Sequence, residues 1–112
     1  FKRSDENLYF ECPISIADAA LGSTIEIPTI DGGKAKIKIP AGTQSGKQLR
    51  LKGKGMPILQ SRSYGDLYVE TEIETPINLS NNQKKLISEF NDSLEEKNNP
   101  KVKKYKNFLK DY

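Results

Sequence analysis

The chain has 112 residues, room for one domain and an appendage. It carries 18 Lys and Arg against 15 Asp and Glu, no His and a single Cys. That inventory excludes a His-dependent triad, an imidazole metal ligand, an intrachain disulfide and any Cys-rich metal site, and it points away from an enzyme. The charge is unevenly placed. Residues 1–80 hold ten basic and ten acidic groups, whereas 81–112 hold eight Lys against five acids, so the whole +3 surplus sits in the last third. No apolar run approaches the ~18–20 residues of a membrane span, and no signal peptide is visible. The lone Cys fits a reducing compartment. The start at Phe1, without Met, suggests a piece of a longer protein. The run Glu6-Asn7-Leu8-Tyr9-Phe10 is similar to a tag-cleavage site, but Glu11 stands where that site needs Gln and the run continues into alternation, so it reads as native.

In chain order, residues 8–76 read as short strands broken by Gly and Pro. Leu8, Phe10, Cys12 and Ile14 alternate with Tyr9, Glu11 and Pro13. Ser15 and Asp18 predict a capped short helix over Ile16–Leu21, stopped by Gly22. Ile25 and Ile27 predict the next strand, and Asp31-Gly32-Gly33 a tight hairpin into Ala35, Ile37 and Ile39. Leu49 and Leu51, then Leu67, Val69, Thr71 and Ile73, complete five strands with one face buried and one wet. Burial is expected for Ile25, Ile27, Ile37, Ile39, Leu49, Leu51, Leu67, Val69 and Ile73, in a small sandwich. Ser80 and Gln83 form a capping box that opens a helix over residues 81 to about 97, with Leu86, Ile87, Phe90 and Leu94 on one stripe. Pro100 restarts the chain. In residues 101–112, Val102, Tyr105, Phe108, Leu109 and Tyr112 fall at helical intervals among Lys103, Lys104, Lys106 and Lys110. A helix that short is marginal alone in water, so its aromatics are expected to dock on something.

Each candidate for chemistry has a plainer reading. Cys12 lies on an alternating apolar face with no His to activate it, and reads as a small core residue. Gly42-Thr43-Gln44-Ser45-Gly46-Lys47 is one residue too short for a phosphate-binding loop, and Gln48 stands where Ser or Thr is needed. Gly53-Lys54-Gly55 lacks the dinucleotide pattern. Glu70, Glu72 and Glu74 read as a wet strand face opposed by Lys34, Lys36 and Lys38 on a neighbouring strand. The Lys-rich tail admits a nucleic-acid reading, but its aromatics fall at core spacing and form no stacking platform.

Several blocks in sequence are similar to the second C-terminal β-domain of DnaJ-type J-domain co-chaperones. They are Cys12-Pro13-Ile14-Ser15-Ile16-Ala17-Asp18-Ala19-Ala20-Leu21-Gly22, Ile25-Glu26-Ile27-Pro28-Thr29 and Ile39-Pro40-Ala41-Gly42-Thr43-Gln44-Ser45-Gly46. Leu49-Arg50-Leu51-Lys52-Gly53-Lys54-Gly55, Gly65-Asp66-Leu67-Tyr68-Val69 and Thr75-Pro76-Ile77-Asn78-Leu79-Ser80 follow. Ordered blocks over residues 8–90 are a specific signal where any one alone is weak. The resemblance implies a mainly β fold: a small sandwich of the DnaJ C-terminal, peptide-binding type with a short helix, over residues 1–79. A helical dimerisation segment over 80–112 would follow. It implies a non-enzymatic co-chaperone fragment with no catalytic residue, cofactor or metal, forming a homodimer through Val102, Tyr105, Phe108, Leu109 and Tyr112. It would contact unfolded clients secondarily, and its parent would meet the seventy-kilodalton heat-shock chaperone (DnaK type) through other regions. The chain holds neither a His-Pro-Asp signature nor zinc-binding Cys repeats. The implied setting is cytoplasmic, with an organelle matrix as the alternative, and no nucleic acid or membrane partner. The competing readings are a small basic β-domain that binds nucleic acid through its tail, and a spacer without client affinity.

Overall fold

A computed structural model describes residues 1–58 and 63–112. These divide into two compact units, Phe1–Pro76 and Ile77–Tyr112.

The first unit is built on alternation. Strands β1 (Lys2–Ser4), β2 (Asn7–Ser15), β5 (Gln48–Leu51) and β6 (Leu67–Glu74) form one sheet in the order β1-β2-β6-β5. Strands β3 (Ser23–Pro28) and β4 (Lys34–Ile39) form the second. β2 runs parallel to β6, with Leu8 beside Leu67 and Phe10 beside Val69, while β1 and β5 flank that pair antiparallel. A parallel pair needs a long crossover, and helix α1 (Ile16–Leu21) with the second sheet lies within it. The sheets face each other through Leu8, Leu67 and Val69 on one side and Ile27 and Ile37 on the other. A second cluster joins Ile14, Ala19 and Ile39. Of the nine residues expected inside, Ile27, Ile37, Ile39, Leu67 and Val69 are buried, and Ile25, Leu49, Leu51 and Ile73 are half-buried. Burying each large side chain contributes roughly 1.5–3 kcal/mol.

Local chemistry fixes the connections. The Ser15 hydroxyl accepts the Asp18 N–H at 3.1 Å and opens α1. Gly22 stops it at φ +83°, a conformation that disfavours a side chain, and a Cβ there would also meet the Ile39 carbonyl at 3.1 Å. In the β3–β4 hairpin the Thr29 N–H donates to the Gly33 carbonyl at 3.0 Å, and Asp31 accepts from the Thr29 hydroxyl and the Gly33 N–H.

The segment that resembled a phosphate loop is instead the joint between the sheets. The Gly42 and Thr43 N–H groups donate to the Ala19 carbonyl at 2.8 and 3.0 Å, and the Thr43 hydroxyl donates to the Pro40 carbonyl at 2.5 Å. The loop then locks onto β6: the Gly46 N–H donates to the Thr71 carbonyl at 2.7 Å and the Thr71 N–H to the Lys47 carbonyl at 2.8 Å.

One pairing differs from expectation. Lys34, Lys36 and Lys38 do not oppose Glu70, Glu72 and Glu74, because β4 pairs with β3 and not with β6. Lys36 stands opposite Glu26, and the Lys34 ammonium lies 3.9 Å from the same carboxylate. Glu70 sits instead between Glu11 and Gln48.

In the second unit, the Ser80 hydroxyl accepts the Gln83 N–H at 3.1 Å while the Gln83 side chain accepts the Ser80 N–H at 2.8 Å. This box opens α2 (Asn81–Ser93), which ends short of residue 97 because Leu94 turns extended at ψ 140°. A single 3₁₀ turn (Glu96–Asn98) follows, capped by the Asn98 side chain accepting the Glu95 N–H at 2.8 Å. α3 (Pro100–Lys110) begins with proline in its first turn, where no N–H is missed.

Candidate functional site

At 100° per residue, Val102, Tyr105, Phe108 and Leu109 project within an arc of about 120° around the axis of α3, and Tyr112 follows two residues beyond its end. Their relative exposures are 49, 62, 59, 50 and 96%, so this stripe carries five large side chains open to solvent. The Phe108 and Tyr112 rings lie 6.0 Å apart, an aromatic pair at the end of the helix. Polar side chains occupy much of the rest of α3. Lys103 pairs with Glu96 at 3.2 Å, and Lys103, Lys106 and Lys110 line a groove with Asn91, Leu94 and Glu95. Every residue of α3 is exposed, and Val102 of the stripe lines the same groove as these lysines. Leu86, Ile87 and Phe90 make a second exposed stripe on α2.

The remaining candidates resolve into scaffold. Cys12 packs against both core clusters, and burial pushes its thiol pKa up, away from the thiolate that nucleophilic chemistry needs. Among the described residues no group of three or more His, Cys, Asp or Glu is arranged to hold a metal ion. Nor is any described helix long and apolar enough to cross a membrane.

The alternation did not single out three polar or glycine anchors. Asp66 accepts the Gly53 N–H at 2.9 Å and the Arg50 Nε at 2.6 Å, while its own N–H donates to the Asn7 side chain at 2.8 Å. The Gly53 N–H first, and then Arg50, hold its carboxyl below the usual carboxylate range against the opposing effect of desolvation. The Gly55 N–H donates to the Gly65 carbonyl and the Gly65 N–H to the Met56 carbonyl, each at 2.8 Å, and both glycines close on the Glu6 backbone, whose carbonyl accepts the Met56 N–H at 2.8 Å. On the outer face of the larger sheet, the Tyr9 and Tyr68 rings stack at 5.2 Å. Register pairs could have found this last contact, but only with β2 and β6 known to be neighbours.

Fold and surface together define a two-sheet β module followed by a helical segment that displays an aromatic stripe. The chain belongs to the family described as the DnaJ C terminal domain, which matches residues 1–76. A protein of Pelagibacter ubique strain HTCC1062 named Chaperone protein DnaJ is 66% identical over 105 residues, covering 94% of this chain and 28% of that protein. The protein of the same name from Roseobacter denitrificans is 49% identical over 112 residues, covering this whole chain and 29% of its own length. That of Azorhizobium caulinodans is 59% identical over 90 residues, covering 80% of this chain and 24% of its own. The chain therefore spans under a third of the relatives it matches. The nucleic-acid alternative finds no support in these matches.

Proposed function

We propose that this chain is the part of a DnaJ-type chaperone that joins two copies and adds a secondary contact surface for unfolded polypeptides. The observation that carries the reading is the exposed stripe of Val102, Tyr105, Phe108, Leu109 and Tyr112, five large side chains that the described residues leave open to solvent. On this reading residues 1–79 are the client-facing sandwich and 80–112 the dimerisation segment. A two-fold interface lets Val102, Tyr105, Phe108, Leu109 and Tyr112 meet the same surface on the other copy and closes the assembly at two. Burying an aromatic there contributes on the order of 1.5–3 kcal/mol, so two or three anchors offset part of the cost of association. Joining two weak client sites on one particle raises avidity without any new contact. The parent would engage a DnaK-type chaperone through regions outside this chain, in the cytoplasm. The chain itself performs no catalysis in this account.

The test measures binding of the full chain to a surface coated with a chemically denatured model protein. The unaltered chain is expected to bind, and Tyr105→Ala with Phe108→Ala to weaken retention about tenfold or more through lost avidity. Absence of binding by the unaltered chain would reduce the domain to a spacer. Equal retention by the double variant would remove the role assigned to the tail.

A further inference from the structure

The outward positions of β2 and β6 carry Glu11, Glu70, Glu72 and Glu74, all exposed. Parallel register sets Glu11 directly beside Glu70, and like charges placed so cost stability. No cation offsets them. Gln48 stands on the other side of Glu70, and among the described residues none of these carboxylates forms an ion pair. One outward position earlier, the same face carries the stacked Tyr9 and Tyr68 rings. The larger sheet thus shows an aromatic pair with unpaired carboxylates beyond it. Helix α3 carries the reciprocal pattern. At 100° per residue, Lys104 and Lys106 fall about 40° outside the two borders of its apolar stripe, one on each side. Lys103 is held by Glu96, whereas Lys104 and Lys106 have no ion-pair partner among the described residues.

We propose that the outer face of the larger sheet is the surface on which α3 of a second copy docks, with the aromatic stripe over Tyr9 and Tyr68 and with Lys104 and Lys106 against Glu70 and Glu72. This rests on the reading that the tail joins two copies, and it names the surface the tail meets. The lengths agree. The 11 residues of α3 rise about 16 Å, and Tyr68 to Glu74 on β6 span about 20 Å, so one helix lies along the face. The charges select the helix. α2 carries Glu89 and Asp92 as well as Lys84 and Lys85, and its acids would be repelled by the face. α3 brings a cation on each side of its stripe and relieves the repulsion between Glu11 and Glu70. Each copy gives one helix and receives one, so the contact occurs twice and the assembly closes at two. Complementary charge fixes the partner and its register more than it adds affinity, and the aromatic contact supplies the rest.

The experiment is sedimentation equilibrium of the full chain with two charge-reversed variants. One reverses the sheet, Glu70→Lys with Glu72→Lys, and the other reverses the tail, Lys104→Glu with Lys106→Glu. All four positions are exposed, so far-UV circular dichroism should match the unaltered chain. Each variant alone is expected to dimerise about tenfold or more weakly, because both contacts of its dimer now set like charges together. An equimolar mixture of the two is expected to recover the dimer. In the mixed pair the basic tail of the sheet variant meets an acidic sheet, and the acidic tail of the other meets the reversed sheet. A sheet variant that dimerises like the unaltered chain would overturn the proposal and leave a tail-to-tail dimer standing. A mixture no more dimeric than its components would overturn it too, as expected of tails docked within their own chains. An unaltered chain that stays monomeric would remove the underlying reading and this proposal with it.

Discussion

Replacing Thr71 by Val preserves the shape of the side chain and deletes one hydroxyl from the joint between the sheets. Thr71 is 1% exposed. Its hydroxyl donates to the Gln44 carbonyl at 2.9 Å, with the Lys47 carbonyl at 3.2 Å, and accepts the Lys47 N–H at 3.0 Å. A net hydrogen bond contributes about 1 kcal/mol, and a buried partner left unsatisfied costs roughly 1–3 kcal/mol. Gln44 and Lys47 lie near solvent, which regains part of their hydration, so the lower end applies and the loss is about 2 kcal/mol. For a unit of this size that is a fall of about 8–16 °C in Tm. Thr71→Ser retains the hydroxyl and gives up one methyl, about 1 kcal/mol. Urea and thermal unfolding followed by circular dichroism should therefore rank the wild-type chain first, the Ser variant second and the Val variant last. A Val variant at least as stable as the Ser variant would refute the reasoning. It would mean that the Gly46 and Lys47 backbone bonds to Thr71 hold the loop unaided.

Two further perturbations test the other anchors. Gly65→Ala places a Cβ inside contact distance of the Glu6 carbonyl, where only backbone can yield, so stability should fall by more than about 2 kcal/mol; a chain as stable as wild type in urea would show that the clasp is loose. Asp66 titrates below the ordinary carboxylate range when folded, so its contribution is complete above the unfolded pKa of ~3.9 and is lost as pH falls through the folded value. Asp66→Asn should flatten that part of the acid limb of a stability–pH curve, and an unchanged acid limb would contradict the assignment.

What the sequence made legible follows the reach of each signal. Period-two alternation identified the inward faces of β2, β3, β4, β5 and β6, because burial on one side of a pleated strand leaves a direct imprint. Capping chemistry is local, and Ser15 and Ser80 start their helices where their side chains can accept an N–H three residues on. Strand neighbours are not local. The lysines of β4 were matched to the wrong carboxylates because the parallel placement of β2 against β6 is set by the crossover, which alternation does not encode. β1 carries Lys-Arg-Ser, without a pattern of its own, and exists through its pairing with β2. The end of α2 was set too late because an Asn98 side chain starts a new turn that competes with helix continuation. Thr71 was legible as inward but not as a polar fastener, since a threonine satisfies the alternation whether or not its hydroxyl is used. The tail residues stand at helical spacing, so their shared stripe was legible as a pattern.

The central claim is that this stripe joins two copies, and sedimentation equilibrium of the full chain tests it most directly. The account predicts a dimer at micromolar concentration that becomes a monomer when Tyr105→Ala and Phe108→Ala are combined, with the sandwich still folded by circular dichroism. An unaltered chain that remains monomeric at high micromolar concentration would contradict it.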